Sequence, residues 1–270
     1  KVSVSNNISS NPTLRRTNRI HTIYSSLAIE QNTLNIDQVT AVISGKRVIA
    51  PPKDIAEVKN AYEIYEHMDK LDPYSMDDLL KAHGVMMNGL VNESGAFRSS
   101  NVGVVDSEGN VIHFGTLPQY ISGLIQELLD WTKVSDIHML IKSCVFHYEF
   151  ELVHPFADGN GRMGRLWHTL LLSKWNPIFA WIPIESIIHD NQNEYYNAIN
   201  ISNNNGESTV FIEFMLSVIK QALLEADESN ISKISAENKL YRRWNLIRDF
   251  LNKHEFISNR DVQEILGVSS

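Results

Sequence analysis

The stretch that decides the fold is His154-Pro-Phe-Ala-Asp-Gly-Asn-Gly-Arg-Met-Gly-Arg165. It lies between two apolar stretches with helical spacing, 141–153 and 166–175, so it is predicted to be a loop that leads into a helix N-terminus. Gly159 and Gly161 permit backbone angles that turn consecutive N–H groups into one concavity, and a helix start adds partial positive charge. The sequence therefore predicts an anion cradle at this point of the chain.

The charged and polar side chains of the stretch predict a polyphosphate ligand. Arg162 and Arg165 fall in the first turn of the expected helix, three residues apart. Two cations at this end are unfavourable with the helix macrodipole, and a bound anion would offset that cost. Asp158 is a carboxylate beside that anion site, an arrangement by which Mg²⁺ is commonly held. The amide of Asn160 can donate to a phosphate oxygen, and the imidazole of His154 can act as a general base.

A zinc site is the competing interpretation of the same residues. It would combine His154 and Asp158 with His147 or His168. The interpretation is weak, because no cysteine is available as a partner ligand and the spacing is not that of a metalloprotease helix.

Composition and charge narrow the class of protein. A chain of 270 residues with 43% hydrophobic and 21% charged residues can bury a full core, and its net charge of -8 argues against a whole surface built for nucleic acid or anionic membrane. Residues 1–11 are polar, and the longest apolar run, 177–184, is about a third of a bilayer span. The single cysteine, Cys144, is predicted to be a buried side chain in a reducing compartment. We therefore expect a cytoplasmic protein without membrane contact.

The remaining hydrophobic pattern predicts a mainly α-helical core with one β-hairpin. Apolar residues recur at helical spacing in four segments, 55–68, 121–131, 140–152 and 166–171. By contrast, residues 102–105 and 111–114 are β-rich and flank the turn-forming group 106–110. This arrangement is typical of a hairpin that lies on a helical bundle.

The C-terminal region differs in composition from the rest of the chain. Residues 227–238 are polar, and residues 239–260 are locally basic. Residues 257–270 resemble the first helix and turn of a helix-turn-helix, with Ser258 as a candidate N-cap and Gly267 as the turn. A solvated helical hairpin that packs on the core explains the same pattern equally well, so contact with DNA stays open.

Residues 154–165 match every fixed position of the Fic family signature, His-x-Phe-x-Asp/Glu-Gly-Asn-Gly-Arg-x-x-Arg, and the resemblance extends from about Tyr24 to Ala226. The resemblance implies a Fic-type helical bundle that uses Mg²⁺ and transfers AMP from ATP to a Ser, Thr or Tyr hydroxyl of a protein. It implies that His154 deprotonates the hydroxyl and that Asp158 holds Mg²⁺. The residues implied to bind the α/β-phosphates are Gly159, Asn160, Gly161 and Arg162, and Arg165 is implied to hold the γ-phosphate.

Two further regions resemble parts of the same family. Gly95-Ala-Phe-Arg98 with the hairpin that follows resembles the Fic flap, which implies that the hairpin covers the nucleotide and docks an extended target segment. The flap residues implied in this contact are Val111, Ile112 and His113. A helix near residue 200 resembles the adenine and ribose pocket, although its tyrosines fit core and rim positions equally well. The pocket residues implied are Tyr195, Tyr196 and Asn203.

The segment Ser25-Ser26-Leu-Ala-Ile-Glu30 resembles the inhibitory helix of Fic proteins, placed near residues 24–32. The resemblance implies that Glu30 reaches an arginine of the motif while Ser26, on the same helix face, orients that face. Gln31 stands where the family has Gly or Asn, a departure that concerns the end of the helix. A solvated glutamate is the alternative interpretation.

The predicted organisation has three parts: an N-terminal helical region over 1–95, a catalytic core over 96–226, and a linker with an incomplete winged-helix-like region over 227–270. Three functions compete with AMP transfer. The first is a nucleotide-sensing DNA-binding regulator, the second a toxin of a toxin–antitoxin pair, and the third a Fic enzyme that transfers another phosphate-bearing group or removes AMP. The self-supplied Glu30 argues against the toxin. The protein target, which includes the chain itself, and a homodimer stay open.

Overall fold

The protein is described from a computed structural model, which places residues 11–105, 111–227, 247–248, 258 and 261–263. Before the hairpin the helices are α1 (Pro12–Ile29), α2 (Ile36–Ile43), α3 (Pro52–Glu66) and α4 (Met76–Met86). The hairpin strands are β1 (Gly103–Val105) and β2 (Val111–Phe114). After it come α5 (Pro118–Val134), α6 (Met139–Val153), α7 (Asn160–Trp175), α8 (Ile184–Asp190), α9 (Gln192–Asn205) and α10 (209–227), with short 3₁₀ turns at Met68–Lys70 and Pro177–Trp181. The predicted fold, mainly α-helical with one β-hairpin, is confirmed.

Helix α7 runs through the centre of the molecule. All residues from Arg162 to Leu172 are buried, so neighbours surround the helix on every side. Trp167 belongs to the hydrophobic cluster formed with α1 to α6, and Leu172 belongs to a second cluster that includes α8 to α10. Because α7 begins at the end of the motif loop, this burial fixes where the motif lies. Cys144 is also buried, as predicted, and burial raises the pKa of its thiol to about 12.

The backbone pairing of β1 with β2 confirms the predicted hairpin. Gly103 pairs with Phe114 and Val104 with His113, whereas Val105 pairs with Val111. The register therefore shifts by one residue between Val104 and Val105, which is the pattern of a β-bulge. The predicted turn at 106–110 lies outside the described residues.

Helix α1 is longer than the inhibitory segment predicted near 24–32. It begins at Pro12, where the Asn11 side chain accepts a hydrogen bond from Leu14 N, and it ends at Ile29 with Glu30 as the C-cap. The end is a Schellman motif, because Asn32 N donates to Leu27 O and Gln31 N donates to Ala28 O. Gln31 stands at the position where the family has Gly or Asn. Its φ is 65°, so the glutamine adopts a left-handed backbone conformation.

Gln31→Gly is expected to raise the free energy of unfolding by about 0.5–1 kcal/mol. A side chain with a Cβ is strained at φ 65°, and this gain exceeds the entropy that glycine loses on folding. Urea unfolding of the two proteins measures the difference. Gln31→Ala is the matched control, because it keeps the Cβ and should give no comparable gain. An equal gain for both variants would contradict the backbone explanation.

At the C-terminal end, the predicted N-cap at Ser258 is confirmed. Ser258 Oγ accepts a hydrogen bond from Asp261 N, Asp261 Oδ2 accepts one from Ser258 N, and residues 261–263 are helical. Gly267 and most of the predicted 227–270 region lie outside the described residues. Across the part of the chain that is described, no helix combines the length and apolarity needed to cross a membrane.

Candidate active site

His154 opens the motif at the end of α6. It is the C-cap of that helix, with φ 51° and ψ 63°, and its N–H donates to Phe150 O. A left-handed backbone is uncommon for a non-glycine residue and often marks a functional constraint. The imidazole is 21% exposed, so a hydroxyl arriving from outside can reach it.

Phe156 and Asn160 close the loop that follows. Phe156 is fully buried, and its N–H donates to Asn160 Oδ1 at 2.8 Å. Asn160 Nδ2 donates in return to Phe156 O, also at 2.8 Å. The Asn160 side chain therefore holds the loop closed, and its predicted hydrogen bond to a phosphate oxygen, through the second N–H of the amide, stays a prediction.

His83 supports the loop from α4, and the sequence analysis missed it. Its ring stacks on Phe156 with centroids 3.6 Å apart. Gly95 N donates to His83 Nδ1, so the ring proton is on Nε2, which donates to Asp158 O at 3.1 Å. Burial lowers the pKa of His83 to about 4, so the neutral ring holds the backbone of Asp158 in place.

Acidification should unfold the protein partly through His83. Between pH 6.5 and 4.5 the unfolded chain protonates this histidine and the folded chain does not, so stability falls as the pH falls. We expect His83→Gln to reduce the stability lost over this window by about 2 kcal/mol. Urea unfolding of both proteins at the two pH values measures it.

Other buried groups, among them His147, His168, Glu151 and Glu185, also have shifted pKa values, but they are present in both proteins. His168 acts in the same direction as His83, whereas Glu151, with its raised pKa, acts in the opposite direction. Their contributions cancel in the comparison of wild type with His83→Gln. Equal losses in the two proteins would exclude a role for His83.

Arg162 is held by two carboxylates. Its Nη1 lies 3.2 Å from Glu57 Oε1 and its Nη2 lies 3.0 Å from Asp158 Oδ1. Glu57 is buried on α3, and its other oxygen accepts a hydrogen bond from Asn32 Nδ2. The sequence analysis missed Glu57, since nothing in the pattern of α3 links it to an arginine 105 residues away.

Arg165 turns to a different set of partners on α1. Its Nε donates to Ser26 Oγ at 3.0 Å, and its Nη2 donates to Ser26 O at 2.9 Å and to Glu30 Oε1 at 2.7 Å. Burial alone would lower the pKa of this guanidinium, but the nearby groups, led by the Glu30 carboxylate, outweigh burial and raise it. The predicted contact of Ser26 and Glu30 with a motif arginine is present, so the solvated glutamate is excluded.

The Glu30 carboxylate also touches the glycine cradle. A Cβ added at Gly161 would overlap Glu30 Oε1, so only the missing side chain of this glycine leaves room for the carboxylate. The first N–H groups of α7 have no acceptor inside the helix, and a carboxylate at this end is favoured by the helix macrodipole. Glu30 thus lies where an anion would bind to the N-terminus of α7.

Glu151, near the end of α6, is a further buried carboxyl and lies next to His154. His154 Nδ1 lies 3.3 Å from Glu151 O and 3.9 Å from Glu151 Oε2. Burial raises the pKa of Glu151 to about 8, so this carboxyl is mostly neutral at pH 7. The signal in the sequence that could have found it is its position three residues before His154, one helical turn away.

Arg98 ties the base of the hairpin to the motif. It is 2% exposed, and its guanidinium donates to His154 O, Ser100 O and Thr116 O. A Cβ at Gly115 would come within 2.7 Å of Arg98 Nη2, so this glycine is needed for the approach. The side chains of Val111, Ile112 and His113 lie outside the described part, and their role stays a prediction.

The residues implied in an adenine pocket do not all face one cavity. Tyr195 is 1% exposed and its hydroxyl shares a hydrogen bond with His147 Nε2, so it packs in the core, as the alternative interpretation had it, and its contact with a nucleotide stays a prediction. Tyr196 is 38% exposed and lies close enough to Glu30 to be affected by its charge. Asn203 Oδ1 accepts a hydrogen bond from Tyr148. The roles of Tyr196 and Asn203 stay predictions.

The zinc arrangement does not form. Within the described residues no three His, Cys, Asp or Glu side chains converge in a way that would hold a metal ion. His168 instead bonds Ser143 O through Nδ1, and burial lowers its pKa to about 4.

Comparison with known proteins identifies the family. The model of the Fic/DOC family matches residues 70–172. A crystal structure of a Fic family protein from Desulfovibrio desulfuricans G20 is 43% identical, with a TM-score of 0.80, and the match covers 97% of this chain and 78% of that one. This chain belongs to the Fic/DOC family.

Curated relatives of this Fic protein share a name that states an activity. One is "Protein adenylyltransferase fic-1" from Caenorhabditis elegans, 30% identical over 67% of this chain. Another is "Protein adenylyltransferase Fic" from Nematostella vectensis, 28% identical over 72% of this chain. The chain spans 36% and 45% of the length of these two relatives.

Proposed function

We propose that this Fic protein transfers AMP from ATP to a Ser, Thr or Tyr hydroxyl of a protein, and that its own Glu30 inhibits the reaction. The observation that carries the proposal is the Glu30 carboxylate, which pairs with the buried Arg165 at 2.7 Å and rests on Gly161. A buried arginine at a helix N-terminus is an anion site, and here the chain supplies the anion. The names of the relatives support the chemistry.

The phosphates of ATP would bind where backbone and arginines provide donors. The N–H groups of Asn160, Gly161 and Arg162 are the first of α7, so they have no acceptor within the helix. The second donor set is the guanidinium of Arg165, which becomes available when Glu30 leaves. Because both sets are fixed by burial before ATP arrives, they stabilise the developing charge without rearrangement of α7.

Asp158 has the features of a Mg²⁺ ligand. Its side chain is 47% exposed, and Oδ1 accepts from Gly159 N at 2.6 Å and from Arg162 Nη2 at 3.0 Å. Oδ2 accepts no hydrogen bond from the residues that the structure describes, which leaves one oxygen for a cation. A single carboxylate beside phosphate oxygens suits Mg²⁺, which, when bound, would neutralise phosphate charge.

His154 would accept the proton of the attacking hydroxyl. The hydroxyl oxygen forms a bond to the α-phosphorus of ATP, the bond from that phosphorus to the bridging oxygen breaks, and pyrophosphate leaves. Arg98, which donates to His154 O at 2.7 Å, and the end of α6 hold the residue in place. A fixed base next to the attacking group contributes through positioning as well as proton transfer.

Transfer of label from ATP distinguishes this reaction from its competitors. Glu30→Gly protein is incubated with ATP labelled at the α-phosphate and, separately, at the γ-phosphate, and incorporation into protein is measured. AMP transfer retains α-label only. Retention of γ-label alone would replace the reaction with phosphorylation, and no retention of either label would remove the proposal. A cytoplasmic location, a homodimer and DNA contact by the C-terminal region stay sequence-based predictions.

A further inference from the structure

A second cationic pocket lies at the opposite end of α1 from Glu30. Its walls include Arg15, Arg16 and Arg19 from α1, with Tyr62, Glu66 and Trp181 facing them, and the cavity has a volume of about 300 Å³. We call it the arginine pocket. This volume is at the lower end of the range for small-molecule sites. None of its residues belongs to the motif or to the Glu30 contact.

Arg19 is buried in the arginine pocket with unused hydrogen-bond donors. Its side chain is 5% exposed, and its guanidinium lies over the rings of Trp181, at 4.8 Å, and Tyr65, at 5.3 Å. Nε lies 3.5 Å from Glu66 Oε1, but neither Nε nor Nη1 has a hydrogen-bond partner within the described residues. Burying a cation whose hydrogen-bond donors have no acceptor lowers the free energy of unfolding. Such a group is therefore expected where a ligand supplies the acceptors.

The two other arginines add charge around the same cavity. Arg15 lies 5.1 Å from the centroid of the Trp181 ring, and Arg16 is oriented by a 2.9 Å hydrogen bond to Ser44 Oγ. The first turn of α1 contains no acidic residue, and Glu66 is the only acid on the walls described. Three like charges this close repel one another, so an anion that joins them relieves the repulsion.

We infer that the arginine pocket binds a phosphate-bearing anion with at least two negative charges. Three guanidinium groups against one carboxylate leave a net positive charge that a single carboxylate ligand does not balance. A guanidinium group can donate two parallel N–H bonds to two oxygens of one phosphate. A phosphate-bearing anion would therefore accept hydrogen bonds from several of the unused donors at once. The inference concerns a site outside the catalytic motif and does not depend on the proposed transferase activity.

Calorimetric titration with pyrophosphate, without Mg²⁺, tests the site. The wild-type chain is compared with Arg15→Gln, Arg16→Gln and Arg165→Ala. Lys133→Gln is the matched control, because it removes one surface charge elsewhere. We expect about tenfold weaker binding for each of the first two variants, because each removes a charge-assisted contact. Lys133→Gln should bind as the wild type does, whereas Arg165→Ala removes the motif's own phosphate contact and should keep the binding that the two pocket variants weaken. Arg15 and Arg16 are not fully buried, so the fold should persist.

The outcomes separate the arginine pocket from the motif. No binding at millimolar pyrophosphate, or binding lost in Arg165→Ala and kept in both pocket variants, would overturn the inference. Titration of Arg165→Ala with ATP and with pyrophosphate identifies the source of the phosphate. Tighter binding of ATP would indicate a nucleotide, and tighter binding of pyrophosphate a free oligophosphate. Citrate that binds as tightly as either would contradict the preference for phosphate.

Discussion

His154→Ala is expected to lower AMP transfer by roughly 10²–10⁴-fold while ATP binds almost as before. In the proposed reaction the imidazole acts on the hydroxyl of the target, and other groups, the N-terminus of α7 and its arginines, hold the phosphates. Binding and chemistry should therefore separate in this variant. Incorporation of α-labelled AMP measures the chemistry, and calorimetric titration with ATP measures binding.

The control for this variant concerns its backbone. Alanine at φ 51° is strained as histidine is, so the fold should be checked by thermal unfolding of the variant. His67→Ala, at an exposed position on another part of the surface, is the matched histidine replacement and should transfer AMP normally. Wild-type rates of transfer from His154→Ala would show that another group is the base.

Glu30→Gly is expected to raise AMP transfer by roughly 5–150-fold, the usual range for a coupling of about 1–3 kcal/mol. The carboxylate pairs with Arg165. In the proposed inhibition it also repels the γ-phosphate, so that ATP would bind with its α-phosphate out of line for attack. Without the carboxylate the guanidinium is available to ATP. Initial rates of self-modification with α-labelled ATP measure the gain.

Glu30→Gln tests whether charge or bulk is responsible. Glutamine keeps nearly the same volume on Gly161 but does not pair with Arg165 as an ion, so we expect a smaller gain than for glycine. Equal gains would assign the inhibition to charge alone. A loss of activity in Glu30→Gly would contradict the inhibitory role and leave the assignment of His154 unaffected.

The features that the sequence predicted are those set by local patterns. The hairpin, the burial of Cys144 and the loop before α7 follow from residue type and spacing over a few positions. The contact of Glu30 with Arg165 joins residues 135 positions apart, and only the family resemblance pointed to it. No rule of spacing gives such a contact.

The features that the sequence did not give depend on tertiary contacts. His83 and Glu57 act on motif residues 75 and 105 positions away, and periodicity on their own helices does not reveal the partner. The loop-closing contacts of Asn160 with Phe156 were missed because they depend on the path of the loop. The burial of Tyr195 stayed open because adjacent tyrosines on a helix point in different directions, and spacing alone does not say which of them faces the core.

The central claim is that Glu30 and ATP compete for one cation, Arg165. A double-mutant cycle tests it most directly, with α-labelled AMP incorporation measured for wild type, Glu30→Gly, Arg165→Ala and the double variant, and with His154→Ala as the blank. We expect Glu30→Gly to raise incorporation only when Arg165 is present, so the double variant should match Arg165→Ala. The same fold-gain from Glu30→Gly in both backgrounds would contradict competition at Arg165.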